Sequence, residues 1–256
     1  EPPTTKAPDS AIPSASPTST SAAPSTWQDE LAKAIQLLEA KTAEPAKTPG
    51  EASLHASLRL LYLTAGRRDD ALRPIAGVSE SQQEFWNKQV YGLSVYLDEK
   101  RTDDDTRRAA EAMTHFRAAT AQLAASASLV VRNLNFCTEV SSYGVFKKFD
   151  KYEFTAGQEV LLYAEVENYK SEQTERGYHT ALKSHYQVLD SQGKRIADQD
   201  FAVTEEHCQN LRRDFFVRYF VWMPKQIAAG NYTLQLTVED TKGQKIGQSS
   251  IQFSIK

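Results

Sequence analysis

The sequence predicts a multidomain α+β protein, in which α-helical hairpins are followed by an antiparallel β-sandwich. Residues 27–127 place apolar side chains three and four positions apart behind explicit helix-start signals. From residue 128 onward alternating runs between turn signals replace this period, and 18 of the 25 aromatic residues fall there. We therefore divide the chain into a tether at 1–26, an α-helical hairpin domain at 27–127 and a β-sandwich at 128–256.

The first segment is rich in proline, serine and threonine. Residues 1–26 hold six of the ten prolines, and Ile12 is their one bulky apolar residue. Such a composition cannot bury enough apolar surface to offset its ordering entropy, so we predict a disordered, extended tether. The chain also begins at Glu1 without an initiator methionine. We expect an exported protein, located in the periplasm, the cell envelope or outside the cell, that has lost a signal or an anchor upstream of Glu1.

Charge and motif content exclude several classes of function. The net charge of −3 is spread along the chain, so no segment is basic enough to indicate a nucleic-acid partner. No stretch approaches the roughly 18 apolar residues of a membrane-spanning helix, and we expect no membrane span in this chain. Dinucleotide, phosphate-loop, nucleophile-elbow and paired-cysteine motifs are missing from the sequence. We accordingly predict no cofactor and no metal.

Helix starts are marked by capping residues. A threonine or serine followed three positions later by an acidic residue forms a capping box, and acidic residues also favour the first turn of a helix. The predicted caps are Thr26, Thr48, Ser81 and one of Asp103, Asp104 and Asp105. The predicted apolar faces are Leu31, Ile35 and Leu38; Trp86, Val90, Leu93 and Leu97; and Met113, Phe116, Ala119 and Leu123.

One part of the helical region resembles a tetratricopeptide repeat. The resemblance rests on Leu58, Tyr62, Gly66, Ala71 and Ile75, which follow the large and small residue spacing of that repeat. It covers one repeat at most, and an arginine at position 59 stands where the repeat prefers a small residue. The resemblance implies helical-hairpin packing, and we do not carry over the peptide-binding groove of the family.

The second half reads as short strands joined by turns. Val160, Leu162, Ala164 and Val166 alternate with Leu161, Tyr163, Glu165 and Glu167, which predicts that the first set points inward and the carboxylates stay outside. The segments 190–193 and 240–243 each combine aspartate with glycine, as tight turns between strands do.

The last 35 residues resemble immunoglobulin-like and fibronectin-type sandwiches. Gly230-Asn231-Tyr232-Thr233-Leu234 is similar to their penultimate strand, in which the tyrosine hydrogen-bonds back to the chain at a corner. Over residues 128–256 the chain resembles the sandwich domain of uncharacterised exported bacterial proteins, which often follows helical hairpins. This resemblance implies the fold and the compartment and no activity.

Cys137 and Cys208 are the only cysteines. In an oxidising compartment a disulfide between them would close a loop of about 70 residues and stabilise the fold by on the order of 4 kcal/mol. We predict that disulfide; two buried free thiols are the alternative.

Histidines and acidic residues give weak signals. His179 and His185 share a predicted strand about 20 Å apart, too far for one metal. The charged loop around His207 contains ligand types, but a solvated loop explains it better. Asp198 and Asp200 project from one strand face about 7 Å apart, and we do not assign them catalysis.

Residues 212–222 form the most informative segment. Alternation places Phe216, Arg218, Phe220 and Trp222 on one face and Phe215, Val217, Tyr219 and Val221 on the other. Because both faces carry aromatic residues, we expect the helical part to cover the outer one. Without that cover, the strand would offer a surface for a protein or for sugar rings, with Tyr163, Tyr178, Tyr219 and Trp222 as the binding surface.

These observations lead to three functional hypotheses. The first is a non-catalytic scaffold or protein-interaction subunit of an exported or envelope-associated assembly, with an unidentified protein partner. The second is a carbohydrate-binding accessory module that takes a polysaccharide. The third is an enzyme with dispersed acidic residues such as Asp198 and Asp200. The sequence favours the first.

Overall fold

The computed structural model describes residues 25–256, so nearly all of the predicted tether lies outside the described residues. Five helices come first, and eleven strands follow. The helices are α1 (Trp27–Lys41), α2 (Pro49–Thr64), the single turn α3 (Arg68–Ala71), α4 (Glu80–Tyr96) and α5 (Asp105–Ser126).

Capping boxes start three of the helices. Thr26 opens α1 and Thr48 opens α2, as predicted, each exchanging hydrogen bonds with the acidic residue three positions later. Helix α4 is capped by Ser79, which pairs with Gln82, so the predicted cap at Ser81 is wrong by two residues. Ser79 and Gln82 have the same spacing as Ser81 and Glu84, and the earlier start adds two residues to the helix. Helix α5 is capped by Asp104.

The helices pack around a small apolar core. Ile35, Leu58, Tyr62, Ala71 and Val90 are buried together, with Leu31, Leu38 and Trp86 packed against them. The structure differs from a tetratricopeptide repeat after α2, because α3 is a single helical turn where the helical hairpin of the repeat has a full second helix.

Helix α5 packs on α4 through small residues. A Cβ atom at Gly92 would lie 2.7 Å from the ring of Phe116, so the missing side chain admits that ring. Ala112 and Ala119 are buried, whereas the predicted core residues Met113 and Leu123 are exposed. Close helix approach therefore selects alanine for this face and leaves the longer side chains outside.

Two sheets form the second half. The strands are β1 (Val130–Ser142), β2 (Val145–Lys148), β3 (Glu153–Phe154), β4 (Glu159–Glu167), β5 (Glu172–Thr174), β6 (Gly177–Leu189), β7 (Arg195–Asp200), β8 (Thr204–Cys208), β9 (Phe216–Trp222), β10 (Gly230–Asp240) and β11 (Lys245–Ile255). The first sheet has the order β2-β1-β4-β9, and the second has the order β3-β11-β10-β6, with β5, β7 and β8 also paired to β6.

The main core lies between the sheets. Side chains from both sheets, including Phe136, Leu162, Val217, Leu234 and Phe253, are buried in one cluster. Among the described strands, every pair is antiparallel except β11 with β3. The corner tyrosine is present as well, because the Tyr232 hydroxyl donates to the Ala228 carbonyl oxygen at 2.8 Å. The predicted α+β class, helical hairpins before an antiparallel sandwich, is confirmed.

Strand β4 is buried on both faces. Tyr163 and Glu165, which the alternation pattern assigned to the outside, are 0% and 4% exposed. The hairpin of β1 and β2 explains this correction, because Cys137, Val140 and Phe146 pack over Tyr163 in a second small cluster. Glu165 accepts hydrogen bonds there from the Tyr163 hydroxyl and from the side chain of Asn133.

The two halves join over a short connection. Helix α5 ends at Ser126, and β1 begins at Val130. The Lys245 Nζ atom donates hydrogen bonds to the carbonyl oxygens of Ala124, at 2.8 Å, and Asn168, at 2.7 Å. Within residues 25–256 there is no helix of the length and apolar character needed to cross a membrane.

Candidate functional site

Strand β9 is an edge strand. It lies at the end of the first sheet, and in the part of the chain that the structure describes β4 is its only strand partner. An unpaired strand edge presents backbone donors and acceptors to whatever lies beside it. We call the outward side chains of this strand, Phe216, Arg218, Phe220 and Trp222, the β9 face.

The hydrogen bonds to β4 show which backbone groups remain free. The Val166 amide donates to the Phe215 carbonyl oxygen at 3.0 Å, and the Met223 amide donates to the Gln158 carbonyl oxygen at 2.9 Å. In an antiparallel pair, hydrogen-bonded and non-hydrogen-bonded residues alternate. The odd-numbered residues of β9 therefore bond to β4, and the N–H and C=O groups of Arg218, Phe220 and Trp222 face away from it.

The β9 face is open. Phe220 is 63% exposed and Trp222 is 53% exposed. The expected cover by the helical part is therefore wrong. The helices meet the sandwich where Ala124 contacts Lys245, and Lys245 belongs to the second sheet, whereas β9 belongs to the first.

The register with β4 defines the surroundings of these aromatic residues. Phe220 lies opposite Leu161 and Trp222 lies opposite Glu159. Phe220 and Leu161 form a non-hydrogen-bonded pair, in which facing side chains come closest. The result is an apolar patch of Leu161, Phe220 and Trp222, which we call the aromatic patch. Arg218 borders it on one side along the strand, and Glu159 borders it on β4.

The predicted binding surface does not assemble. Tyr163 is fully buried. Its hydroxyl donates a hydrogen bond to Glu165 at 3.0 Å and accepts one from the Gly144 amide at 2.8 Å. Burial raises the pKa of Tyr163 to about 12. This tyrosine is a structural residue of the first sheet and offers no surface to a ligand.

The other tyrosines are also placed elsewhere. Tyr219 points inward, where its ring stacks on Phe201 with centroids 3.8 Å apart and its hydroxyl donates to Ser184. Tyr178 lies on β6 in the second sheet. Of the four predicted residues only Trp222 lies on the open face. The sequence analysis did not identify three further residues of this face: Phe220, Arg218 and Leu161. The alternation pattern had nevertheless placed Phe220 and Arg218 on the same face as Trp222.

Both cysteines are free thiols in this structure. Cys137 is buried on the outer side of the first sheet, whereas Cys208 ends β8 in the second sheet. The predicted disulfide is therefore not formed, because the Cys137 side chain points away from the second sheet, which carries Cys208. Burial raises the pKa of the Cys137 thiol to about 11, which makes it a poor nucleophile.

The sheet register brings together two histidines that are far apart in sequence. His179 and His207 are paired between β6 and β8, and their rings stack with centroids 4.2 Å apart and an interplanar angle of 5°. Glu205 lies 3.8 Å from the Nε2 atom of His179. Across residues 25–256 no group of three or more histidine, cysteine or acidic side chains is arranged to hold a metal ion.

The acidic pair lies on the surface. Asp198 and Asp200 are exposed on β7, and Asp198 forms an ion pair with Arg195 at 3.1 Å. Asp200 lies opposite His185 in the β6 register. Such exposed carboxylates are solvated, and the cavities of the helical part lie elsewhere.

The comparisons with known proteins give no family. No protein-family model matches the sequence, and no curated protein matches it. Similar solved structures include the alkylpurine DNA glycosylase AlkC of Pseudomonas fluorescens bound to DNA, at 10% identity and a TM-score of 0.30. The match covers 88% of this chain, which spans 64% of the glycosylase.

Two further solved structures match the chain over about half its length. Spo0M, a sporulation control protein of Bacillus subtilis, has 8% identity and a TM-score of 0.30 over 51% of this chain and 50% of its own. An immunoglobulin-like protein of Pseudomonas aeruginosa has 13% identity and a TM-score of 0.28 over 51% of this chain and 98% of its own. Likeness at this level assigns no function, and catalysis is neither shown nor excluded by it.

Proposed function

We propose that this protein is a non-catalytic interaction subunit that binds a partner protein through the β9 face. The observation that carries the proposal is the exposure of Phe220 and Trp222 beside an unpaired backbone edge. Large aromatic side chains dominate binding energy at protein interfaces. A contiguous apolar patch on a sheet edge is also unusual for a surface that has no partner.

The free edge supports strand addition as the mode of binding. An extended segment of the partner would accept hydrogen bonds from, and donate them to, the outward backbone groups of Arg218, Phe220 and Trp222. Every second side chain of that segment would then lie beside the aromatic patch. Main-chain bonds provide affinity in this mode, and the side-chain contacts provide specificity.

The charges around the patch indicate the sequence of the partner segment. Arg218 is exposed on the β9 face and forms no ion pair in the described part of the chain. An aspartate or glutamate of the partner would pair with it, while apolar residues would cover Phe220 and Trp222. The expected partner therefore supplies an extended segment with alternating apolar residues and one acidic residue.

The cellular setting of the proposal is an exported or envelope-associated assembly. It rests on the composition of residues 1–26, which suits a tether that holds a binding domain away from its anchor point. Fractionation of the native cells tests it, since the protein must be found outside the cytoplasm. Recovery from the cytoplasm alone would contradict this part of the proposal and leave the binding surface to be judged separately.

Site-specific cross-linking tests the binding surface. A photo-reactive phenylalanine at position 220 should cross-link a partner in native cells, and the cross-linked peptide of that partner identifies the bound segment. Binding of the synthetic segment to the purified protein is then measured. Phe220→Ser and Trp222→Ser should each weaken it by about tenfold or more, as expected for residues at the centre of an interface.

Two further variants make this test specific. Ile246→Ser is the matched control, because Ile246 is 67% exposed on β11, away from β9, and its replacement should leave binding unchanged. Arg218→Pro removes one outward amide together with the Arg218 charge and leaves every backbone bond to β4 in place, so it should abolish strand addition and leave the fold intact. Equal binding by the wild type, Phe220→Ser and Trp222→Ser would contradict the proposal.

Carbohydrate binding is the competing outcome of the same experiments. Phe220 and Trp222 lie about 7 Å apart along the strand, and exposed aromatic rings stack on sugars. Polysaccharide added to a carbohydrate module should change the tryptophan fluorescence. That change should be lost in Trp222→Ala and kept in Arg218→Pro. Turnover that vanishes in Asp198→Asn or Asp200→Asn would favour an enzyme.

A further inference from the structure

The helical part contains a cavity of about 290 Å³. Four segments line it: the end of α1 at Glu39, the loop between α1 and α2, one face of α2, and the loop between α3 and α4. The volume is at the lower end of the range that small-molecule sites occupy. The cavity is separate from the β9 face, and nothing in the proposed function uses it.

The two loops that border the cavity are fixed to each other. The Ala46 amide donates a hydrogen bond to the Ala76 carbonyl oxygen at 3.0 Å. Gly77 has a φ of +88°, and a Cβ atom there would lie 2.1 Å from the Ala46 carbonyl oxygen. The contact therefore requires glycine at position 77, and the cavity is held open by backbone contacts before any ligand arrives.

Arg59 is a cation of the cavity wall without a carboxylate partner. Its Nε atom donates to the Arg73 carbonyl oxygen at 2.9 Å, and one Nη atom donates to the Pro74 carbonyl oxygen at 3.0 Å. These bonds fix the plane of the guanidinium and use two of its five N–H donors. One N–H of the bonded Nη atom and both N–H groups of the other Nη atom stay available, which is enough for two parallel bonds to a carboxylate. Within the described residues Arg59 forms no ion pair, whereas its neighbours Arg67 and Arg73 both pair with Asp70. Burial lowers the pKa of Arg59.

The remaining charged groups of the cavity limit what it accepts. Glu39 accepts hydrogen bonds from the Tyr62 hydroxyl at 2.8 Å and from Arg67 at 3.2 Å, so its charge is already balanced. The carbonyl oxygen of Glu44 accepts from His55 at 3.0 Å, and the Glu44 carboxylate is exposed at the rim. Arg73, the other arginine of the lining, pairs with Asp70 at 3.0 Å. Arg59 therefore offers one unpaired positive charge, which favours a ligand with a single negative charge.

We propose that this cavity binds a small organic monoanion, whose carboxylate pairs with Arg59 and whose short apolar chain lies against Leu58 and Ala43. A guanidinium fixed in orientation suits a carboxylate, because its donors match the two oxygen atoms. The ligand is either a free carboxylic acid or the C-terminal carboxylate of a peptide, since both present this group. A doubly charged anion is disfavoured, because Arg59 offers one unpaired positive charge and the Glu44 carboxylate lies at the rim.

Nuclear magnetic resonance titration of the full chain tests the proposal. Butyrate should shift the side-chain signal of Arg59 and the signals of Tyr62 and His55, with saturation in the millimolar range. N-acetyl-alanyl-alanine, with a free carboxylate, and its C-terminal amide distinguish the two sources. Binding of the free peptide with higher affinity than butyrate indicates a peptide terminus, and equal or weaker binding indicates a free acid.

Variants separate a specific site from general ion binding. Arg59→Gln should weaken butyrate binding by about tenfold or more, the effect of losing a charge-assisted hydrogen bond. Arg117→Gln is the matched control, because Arg117 is exposed on α5 outside the cavity and its replacement should change nothing. Ala43→Phe fills the cavity without touching the bonds of Arg59, and it should block binding even if Arg59→Gln disturbs the loops.

Two results would overturn the inference. One is a wild-type chain whose Arg59 signal does not respond to butyrate. The other is a response that Ala43→Phe and Arg59→Gln both retain. Stronger binding of inorganic phosphate than of butyrate would also contradict the assignment to a monoanion.

Discussion

The ammonium group of Lys245 lies 2.8 Å from the carbonyl oxygen of Ala124 and thereby ties the start of β11 to the last turn of α5. The last carbonyl groups of a helix lack the regular partner four residues later, and a cation near them is favourable. The Ala124 carbonyl oxygen also accepts a longer bond, of 3.3 Å, from the Ala127 amide. The same ammonium group also donates to Asn168, which follows β4. One side chain therefore joins the helical part to both sheets, and burial lowers its pKa.

Replacing Lys245 by methionine should loosen this junction. The loss of two hydrogen bonds from a partly buried charge is expected to lower the free energy of unfolding by about 1–2 kcal/mol. Amide hydrogen exchange near residues 124–128 should become faster, because the end of α5 loses its outside partner. Lys183→Met is the control, since Lys183 is exposed on β6. Equal amide exchange rates in Lys245→Met and Lys183→Met would show that the Lys245 hydrogen bonds do not stabilise the end of α5.

Replacing Tyr232 by phenylalanine should destabilise the sandwich. The hydroxyl donates at 2.8 Å to the Ala228 carbonyl oxygen, and its removal is expected to cost about 1 kcal/mol in urea unfolding. Tyr178→Phe serves for comparison, because the Tyr178 hydroxyl makes no hydrogen bond within residues 25–256. If Tyr178→Phe lowers the stability as much as Tyr232→Phe does, the corner hydrogen bond is not the cause of the loss.

Acid should weaken the start of α5 through Asp104. The Asp104 carboxylate accepts hydrogen bonds from the side chain and amide of Thr106 and from the Arg107 amide, which lowers the pKa of Asp104. A lowered pKa in the folded state means that this stabilisation is present above the ordinary aspartate range near about 4 and is lost as the pH falls through the folded value.

The asparagine variant isolates this effect. Asp104→Asn keeps a neutral acceptor at the cap. The free energy of unfolding of this variant should therefore fall furthest below that of the wild type at neutral pH, and the difference should shrink in acid. Thermal unfolding followed at several pH values measures the difference. Asp103→Asn, beside the cap, should follow the wild-type pH profile. A constant difference between Asp104→Asn and the wild type across the pH range would contradict the prediction.

The two thiols should differ in reactivity. Cys137 is 1% exposed and the pKa of its thiol is raised to about 11, so it should resist a thiol reagent at pH 8 in the folded protein. Cys208 is half-buried at the end of β8 and should react faster. In denaturant without reductant, both thiols should titrate. If no free thiol is found in denaturant, the two cysteines are joined by the disulfide that the sequence predicted.

Local patterns in the sequence predicted local structure well. Thr26, Thr48 and Tyr232 each act within four residues, so their hydrogen bonds depend on spacing that can be read directly. Ser81 failed because Ser79 offers the same spacing two residues earlier.

Contacts between distant segments were predicted poorly. The stacking of His179 on His207 depends on the register between β6 and β8, which periodicity does not encode. Alternation placed Trp222 on the correct face of β9, but the element expected to cover that face lies elsewhere. The burial of Tyr163 likewise depends on how the β1–β2 hairpin folds over the sheet, a choice made by tertiary packing.

The open edge of β9 also determines how the protein behaves at high concentration. A strand with free amides and apolar neighbours can pair with the same strand of another molecule, which is a route to aggregation. Arg218, in the middle of this strand, acts as a gatekeeper, because each copy brings the same positive charge to the contact. Neutralising Arg218 should therefore promote self-association, and the residue that selects an acidic partner is also the one that keeps identical chains apart.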